Sequence, residues 1–96
     1  MRESEYQARL IKKLRLLFPD CTILKNDSGY LQGVPDLSIF HRDKWAMLEV
    51  KLSEDAAEQP NQTYHVDKFN KMSFAAFIYP ENEVDVLEEL TLVFNN

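Results

Sequence analysis

The chain is predicted to fold as a small α/β domain of order αβββαβ, a mixed sheet flanked by helices, and three features of the sequence lead there. Tyr6, Leu10, Ile11, Leu14, Leu17 and Phe18 recur at intervals of three and four residues, the period of an amphipathic helix. Short β-prone runs follow between residues 21 and 52, divided by clusters of turn formers. Beyond a second helical stretch, Phe74-Ala75-Ala76-Phe77-Ile78-Tyr79 is continuously apolar, as a strand buried on both faces is.

Taken in order, the first helix runs from Glu3 to Phe18 and stops at Pro19-Asp20. Cys21 to Lys25 reads as a strand, and Asn26-Asp27-Ser28-Gly29 opens a loop that continues to Gly33. Asp36 to Phe40 is a second strand, and His41-Arg42-Asp43-Lys44 turns the chain into a third, central one from Trp45 to Leu52. Parity divides that strand into Ala46, Leu48, Val50 and Leu52 on one face and Trp45, Met47, Glu49 and Lys51 on the other. Ser53 to Gln59 is an acidic loop, and Pro60 suits the first turn of a helix carrying Tyr64, Phe69 and Met72 to about Ser73. After the Phe74 to Tyr79 strand, Val84, Leu87 and Leu90 indicate a short helix over Glu83 to Leu90, and Leu92-Val93-Phe94 reads as a last edge strand.

Ninety-six residues correspond to a single domain, 1–96. A hydrophobic fraction of 45% beside 28% charged residues is that of a soluble globular protein, and no segment approaches the roughly 18 apolar residues of a membrane span. The polar start Met1-Arg2-Glu3-Ser4-Glu5 carries no secretory signal, and the lone Cys21 has no partner for an internal disulfide, so a reducing cytoplasm is expected. The net charge of -5 opposes nucleic-acid binding taken as a sum, because Lys and Arg supply the neutralisation of phosphates. Its distribution matters more: Arg9, Lys12, Lys13 and Arg15 fall in one helix, whereas acids concentrate at residues 54–58 and 81–89. Bound cations would also reverse the local field where acids cluster.

The chemistry is carried by Gly33-Val34-Pro35-Asp36 and Glu49-Val50-Lys51. Asp36 begins one strand of a hairpin and Glu49 lies toward the end of its partner, so pairing brings both carboxylates to one end of the sheet. Magnesium takes hard oxygen ligands, commonly one or two carboxylates with waters and substrate oxygens, and two such acids suffice. The main-chain carbonyl of Val50 is a candidate third ligand. Lys51, two residues after Glu49, projects from the same face, where an ammonium holds an attacking water or a phosphate oxygen. Gly33 allows a sharp turn or a close backbone approach to a phosphate.

These residues resemble the PD-(D/E)XK nuclease signature, and the wording Gly-Val-Pro-Asp resembles its virus-type replication-repair nuclease (VRR-NUC) branch, across nearly the whole chain. The resemblance implies a restriction-endonuclease-like core, with Asp36, Glu49 and Lys51 catalytic and with Glu3, Asp36, Glu49 and Val50 around a magnesium ion for which manganese substitutes. It casts Lys25, Gly33 and Gln62 as DNA-binding or supporting residues. Glu3 is favoured over Glu5 because it shares a helical stripe with Gln7, Leu10 and Leu14, whereas Glu5 points about 160° away.

The expected activity is structure-specific DNA endonuclease cleavage, of the Holliday-junction-resolving kind, by a homodimer whose two sites cut paired strands. The compact format resembles proteins encoded by phages, and the residues give no reason to expect a membrane partner. Two alternatives stand beside it: a sequence-nonspecific or nicking module of a larger assembly, and a catalytically silent DNA-binding or interaction module. Outside the motif the plain readings prevail. Pro35-Asp36 by itself is a turn dipeptide, Glu49 and Lys51 by themselves a strand-end ion pair, and Trp45 and the aromatics of the last strand are core. His41 and His65 are expected to be surface or half-buried residues, and with one cysteine they form no zinc pattern.

Overall fold

Helix α1 spans Glu3–Leu17 and buries Tyr6, Leu10, Ile11 and Leu14 along the stripe set by their spacing. The structure is a computed structural model and describes residues 1–96. Strands β1 (Thr22–Lys25), β2 (Leu37–His41) and β3 (Lys44–Val50) follow, then helix α2 (Gln62–Met72), strand β4 (Phe74–Ile78) and helix α3 (Glu83–Phe94). The sheet order is β1-β2-β3-β4, antiparallel from β1 to β3, with β4 parallel to β3. The two-residue turn between β2 and β3 is tight, with Arg42 in the left-handed region at φ 59. The result is an α/β fold with a four-stranded mixed sheet and three helices. None of the helices is long and apolar enough to cross a membrane.

Parity assigns the two faces of the sheet. Leu37, Ile39, Ala46, Leu48, Val50, Phe74 and Ile78 point into one core, closed by α1 and by Val86, Leu87, Leu90 and Phe94 of α3. Tyr6 donates its hydroxyl to Glu83 at 2.8 Å, and Lys13 pairs with the same carboxylate, tying α1 to α3. On the opposite face Met47, Val66 and Ala75 form a smaller cluster with Val34, Trp45, Phe69 and Phe77 under α2.

Four readings of the sequence change. Leu92-Val93-Phe94 is no edge strand: α3 continues to Phe94, whose ring is 2% exposed and packs edge-on against Phe18 at 5.0 Å. A Val-Phe pair satisfies either period, and the pocket beside Phe18 rewards the helical one. Helix α2 starts two residues after Pro60, because Asn61 adopts φ 69, which no right-handed helix contains. It buries His65 and Val66 with Gln62 and Phe69 half-buried, while Tyr64 and Met72 are 61% and 63% exposed. Val84 is likewise exposed on α3. His41 and His65 are buried: His41 packs against both Phe18 and Phe94, and His65 stacks on Phe69.

Candidate active site

The β2–β3 register pairs Leu37 with Leu48, and one step further it sets Asp36 opposite Glu49. Both therefore leave the sheet on the α2 face, at the end where β3 and β4 stop. Asp36 is fixed from both sides. Its Oδ2 accepts the Val50 N–H at 2.9 Å, and its own carbonyl accepts the Asn26 N–H at 2.8 Å. The Asn26 side-chain amide then donates to the Pro35 carbonyl at 2.9 Å and to Ser38 Oγ at 2.8 Å, clamping the strand entry.

Glu49 is 2% exposed. Gln62, at the start of α2, donates to its Oε2 at 3.2 Å, and the Lys51 ammonium stands 4.0 Å from the same oxygen. No donor reaches Oε1, although it is buried. Burial above all, then the charge and acceptor oxygens of Asp36, favour a proton on Glu49 and push its pKa up to about 8, with Lys51 opposing and Glu3 adding to the shift. The carboxylate is thus short of positive charge: one cation at the limit of ion-pair distance does not offset desolvation and a second acid.

Lys51 is 6% exposed and lies just past β3, where its main-chain N–H donates to the Ile78 carbonyl at 2.9 Å. Its ammonium donates to the Ala57 carbonyl at 3.1 Å, so the acidic loop after β3 sets the position of the lysine. The glycine-bearing loop is tied to the other side of the site. Gly33 has φ +85, and a Cβ there would lie 2.6 Å from the Asn61 carbonyl carbon. This close approach seats the loop on the residue that precedes Gln62, and the Asn61 amide reaches Gln32 at 3.4 Å. Gln62 is steadied by the Gln59 N–H, which donates to its Oε1 at 2.8 Å.

Asp36, Glu49, Lys51, Gln62 and Gly33 thus converge at one place. Glu3 is exposed in the first turn of α1, near enough for its charge to raise the pKa of Glu49, while Glu5 accepts the Arg2 N–H at 3.3 Å. Lys25 pairs in register with Leu37, whose side chain belongs to the core under α1, so it leaves the sheet on the face away from Asp36 and is exposed. Val50 contributes its N–H to Asp36. No group of three or more His, Cys, Asp or Glu side chains gathers as a metal site anywhere in the chain. Asn26 and the Ala57 carbonyl were not singled out by sequence reasoning. Asn26 was visible only as the first residue of a turn cluster, and a main-chain carbonyl leaves no signal in the residue type.

Comparison with models of known protein families, with curated proteins and with solved structures finds no match to this chain.

Proposed function

We propose that this chain is a metal-dependent DNA endonuclease with a PD-(D/E)XK core of the VRR-NUC kind, hydrolysing phosphodiester bonds in branched DNA as a homodimer. The observation that carries the reading is Glu49: a carboxylate 2% exposed, with one oxygen lacking any donor, set in register beside Asp36 and two residues before a buried lysine. The pair of acids is short of positive charge, with a single cation 4.0 Å from Glu49, and a divalent ion would supply it.

The residues fit a divalent cation. Asp36 and Glu49 would hold magnesium, with the Val50 carbonyl and, through water, Glu3 as further oxygens, and two carboxylates are within the usual complement for that ion. Bound there, the metal supplies a water acidic enough to deprotonate near neutral pH and a counter-charge for the pentacovalent transition state. The chain's own groups do the rest. The Val50 N–H holds Asp36 Oδ2, and Gln62 holds one Glu49 oxygen, leaving the other without a protein donor. Lys51, drawn in by the Ala57 carbonyl, presents an ammonium to the attacking water or to a phosphate oxygen, where its charge counts most in the transition state.

The test is cleavage of four-way-junction, flap and linear duplex DNA in magnesium, and then in chelator, by the wild type and by Asp36→Asn and Lys51→Ala. Junction cleavage that disappears with chelator and in both variants is expected. Cleavage that survives either treatment sinks the mechanism, and junction binding without cleavage moves the protein to the silent-module reading that its net charge of -5 also favours.

A further inference from the structure

The parallel register of β3 and β4 sets Phe77 beside Glu49 and, one step on, Tyr79 beside Lys51, so these two aromatics continue the row of site residues across the sheet. Both are half-buried, where residue type alone suggested core. With Lys51 they line a pocket of about 140 Å3, whose other wall is the acidic loop after β3, carrying Ser53, Glu54 and Glu58. The walls are tied in place. Asn82 accepts the Tyr79 N–H at 2.9 Å and donates to the Phe77 carbonyl at 3.0 Å, which fixes the end of β4. The Ala56 N–H donates to the Ser53 carbonyl at 3.1 Å, and the Ala57 carbonyl anchors the loop to the Lys51 ammonium. Glu58 accepts the Thr63 hydroxyl, so Glu54 is the less committed of the two acids.

We propose that this pocket receives one unpaired cytosine base next to the scissile phosphate, an inference that rests on the nuclease reading. Aromatic rings offer a base a stacking surface, and these two stand beside the residues that would act on the phosphate. The volume equals that of roughly five waters at ~30 Å3 each, room for one pyrimidine ring and not for the second ring of a purine. A phosphate is repelled by Glu54 and Glu58, and a second cation by the Lys51 ammonium. A neutral ring meets neither objection. Cytosine turns an amino donor toward carboxylates, its matched acceptors, whereas thymine carries a carbonyl acceptor at the same position. A base enters such a pocket only when it is unpaired or swung out of the stack, so the pocket favours branches and flaps over continuous duplex.

Two measurements test the proposal. The first is amide NMR of the full chain titrated with deoxycytidine, a nucleoside without phosphate, so that neither metal nor catalysis is needed. Shifts centred on residues 51–58 and 77–79 are expected, saturating in the millimolar range, with thymidine bound about tenfold more weakly. Tyr79→Ala is expected to bind deoxycytidine about tenfold more weakly and Tyr79→Phe as the wild type does. Glu54→Gln is expected to narrow the difference between the two nucleosides, because an amide both accepts and donates. The second is cleavage of flap DNA in magnesium, with a single abasic site moved one nucleotide at a time past the cut. Wild-type cleavage is expected to fall about tenfold at one unpaired position beside the cut, and Tyr79→Ala to cut all of these substrates slowly and alike.

No amide shift in the pocket at ~50 mM deoxycytidine, or equal binding of thymidine, overturns the proposal. Wild-type cleavage indifferent to the abasic site overturns it too, and leaves the nuclease reading standing. Pocket shifts from deoxycytidine in a protein that cuts no DNA support the base site and overturn the nuclease reading, so the two failures are told apart.

Discussion

Glu49→Gln is the change that tests the electrostatics of the site most directly. In the folded protein the Glu49 carboxyl has its pKa pushed to about 8, against an ordinary value of 4.5, by burial and then by Asp36. Between those values the folded chain holds a proton that the unfolded chain has released. Stability must therefore fall as pH rises through this window, the reverse of the usual salt-bridged carboxylate. From pH 5 to pH 8 the loss is on the order of 3 kcal/mol at 25 °C. With a urea slope of about 1.5 kcal/mol per M, that corresponds to a midpoint lower by roughly 2 M at pH 8. Gln at this position keeps the size and a carbonyl acceptor for Gln62 but has no proton to lose, so its midpoint is expected to change far less over the range. The assay is urea unfolding followed by circular dichroism in chelator at pH 5, 6.5 and 8. Magnesium added at pH 8 is expected to raise the wild-type midpoint and leave the variant's unchanged. Parallel pH profiles for the two proteins would refute the reasoning, since Glu49 would then titrate as an ordinary solvated acid.

Gly33→Ala forces a Cβ to within 2.6 Å of the Asn61 backbone at φ +85 and is expected to cost about 1–3 kcal/mol by urea unfolding, with DNA cleavage falling further than the loss of folded protein explains. Gln62→Ala removes the one neutral donor to Glu49 and is expected to lower cleavage about tenfold, measured at saturating magnesium, while costing roughly 1 kcal/mol of stability. Phe94→Ala empties a site between Phe18 and His41 and is expected to cost about 3–5 kcal/mol in the same unfolding assay, whereas a fraying terminal strand would lose well under 1.

Much of the candidate site's arrangement was legible because local chemistry and strand parity agree. Asp36 and Glu49 are two acids at the ends of consecutive strands, and once the turn at Arg42-Asp43 is placed, the hairpin register puts them face to face. Lys51 follows Glu49 by two residues and so inherits its face. The helical readings fared worse where apolar residues were too few to define a stripe. In α2, Tyr64 and Met72 looked like the buried side, yet Gln62, His65, Val66 and Phe69 face the sheet, because the partner for that helix includes a carboxylate at its first turn as well as an apolar patch. At the C-terminus, Leu92-Val93-Phe94 favours a strand by residue type, and only the space beside Phe18 and His41 decides for a helix.

The sequence by itself determined the α/β class, the order of elements up to β4 and the identity of the acid–acid–lysine set, because these depend on periodicity, turn chemistry and neighbours along the chain. The tertiary structure decided what those groups experience. That Glu49 lies buried with one oxygen unserved, that Lys51 is drawn to the Ala57 carbonyl, that Asn26 clamps the entry to Asp36 and that Gly33 rests on Asn61 all follow from segments distant in sequence meeting at one end of the sheet. Desolvation and charge coupling are properties of that meeting, since both depend on what surrounds a group in space, and residue type carries neither.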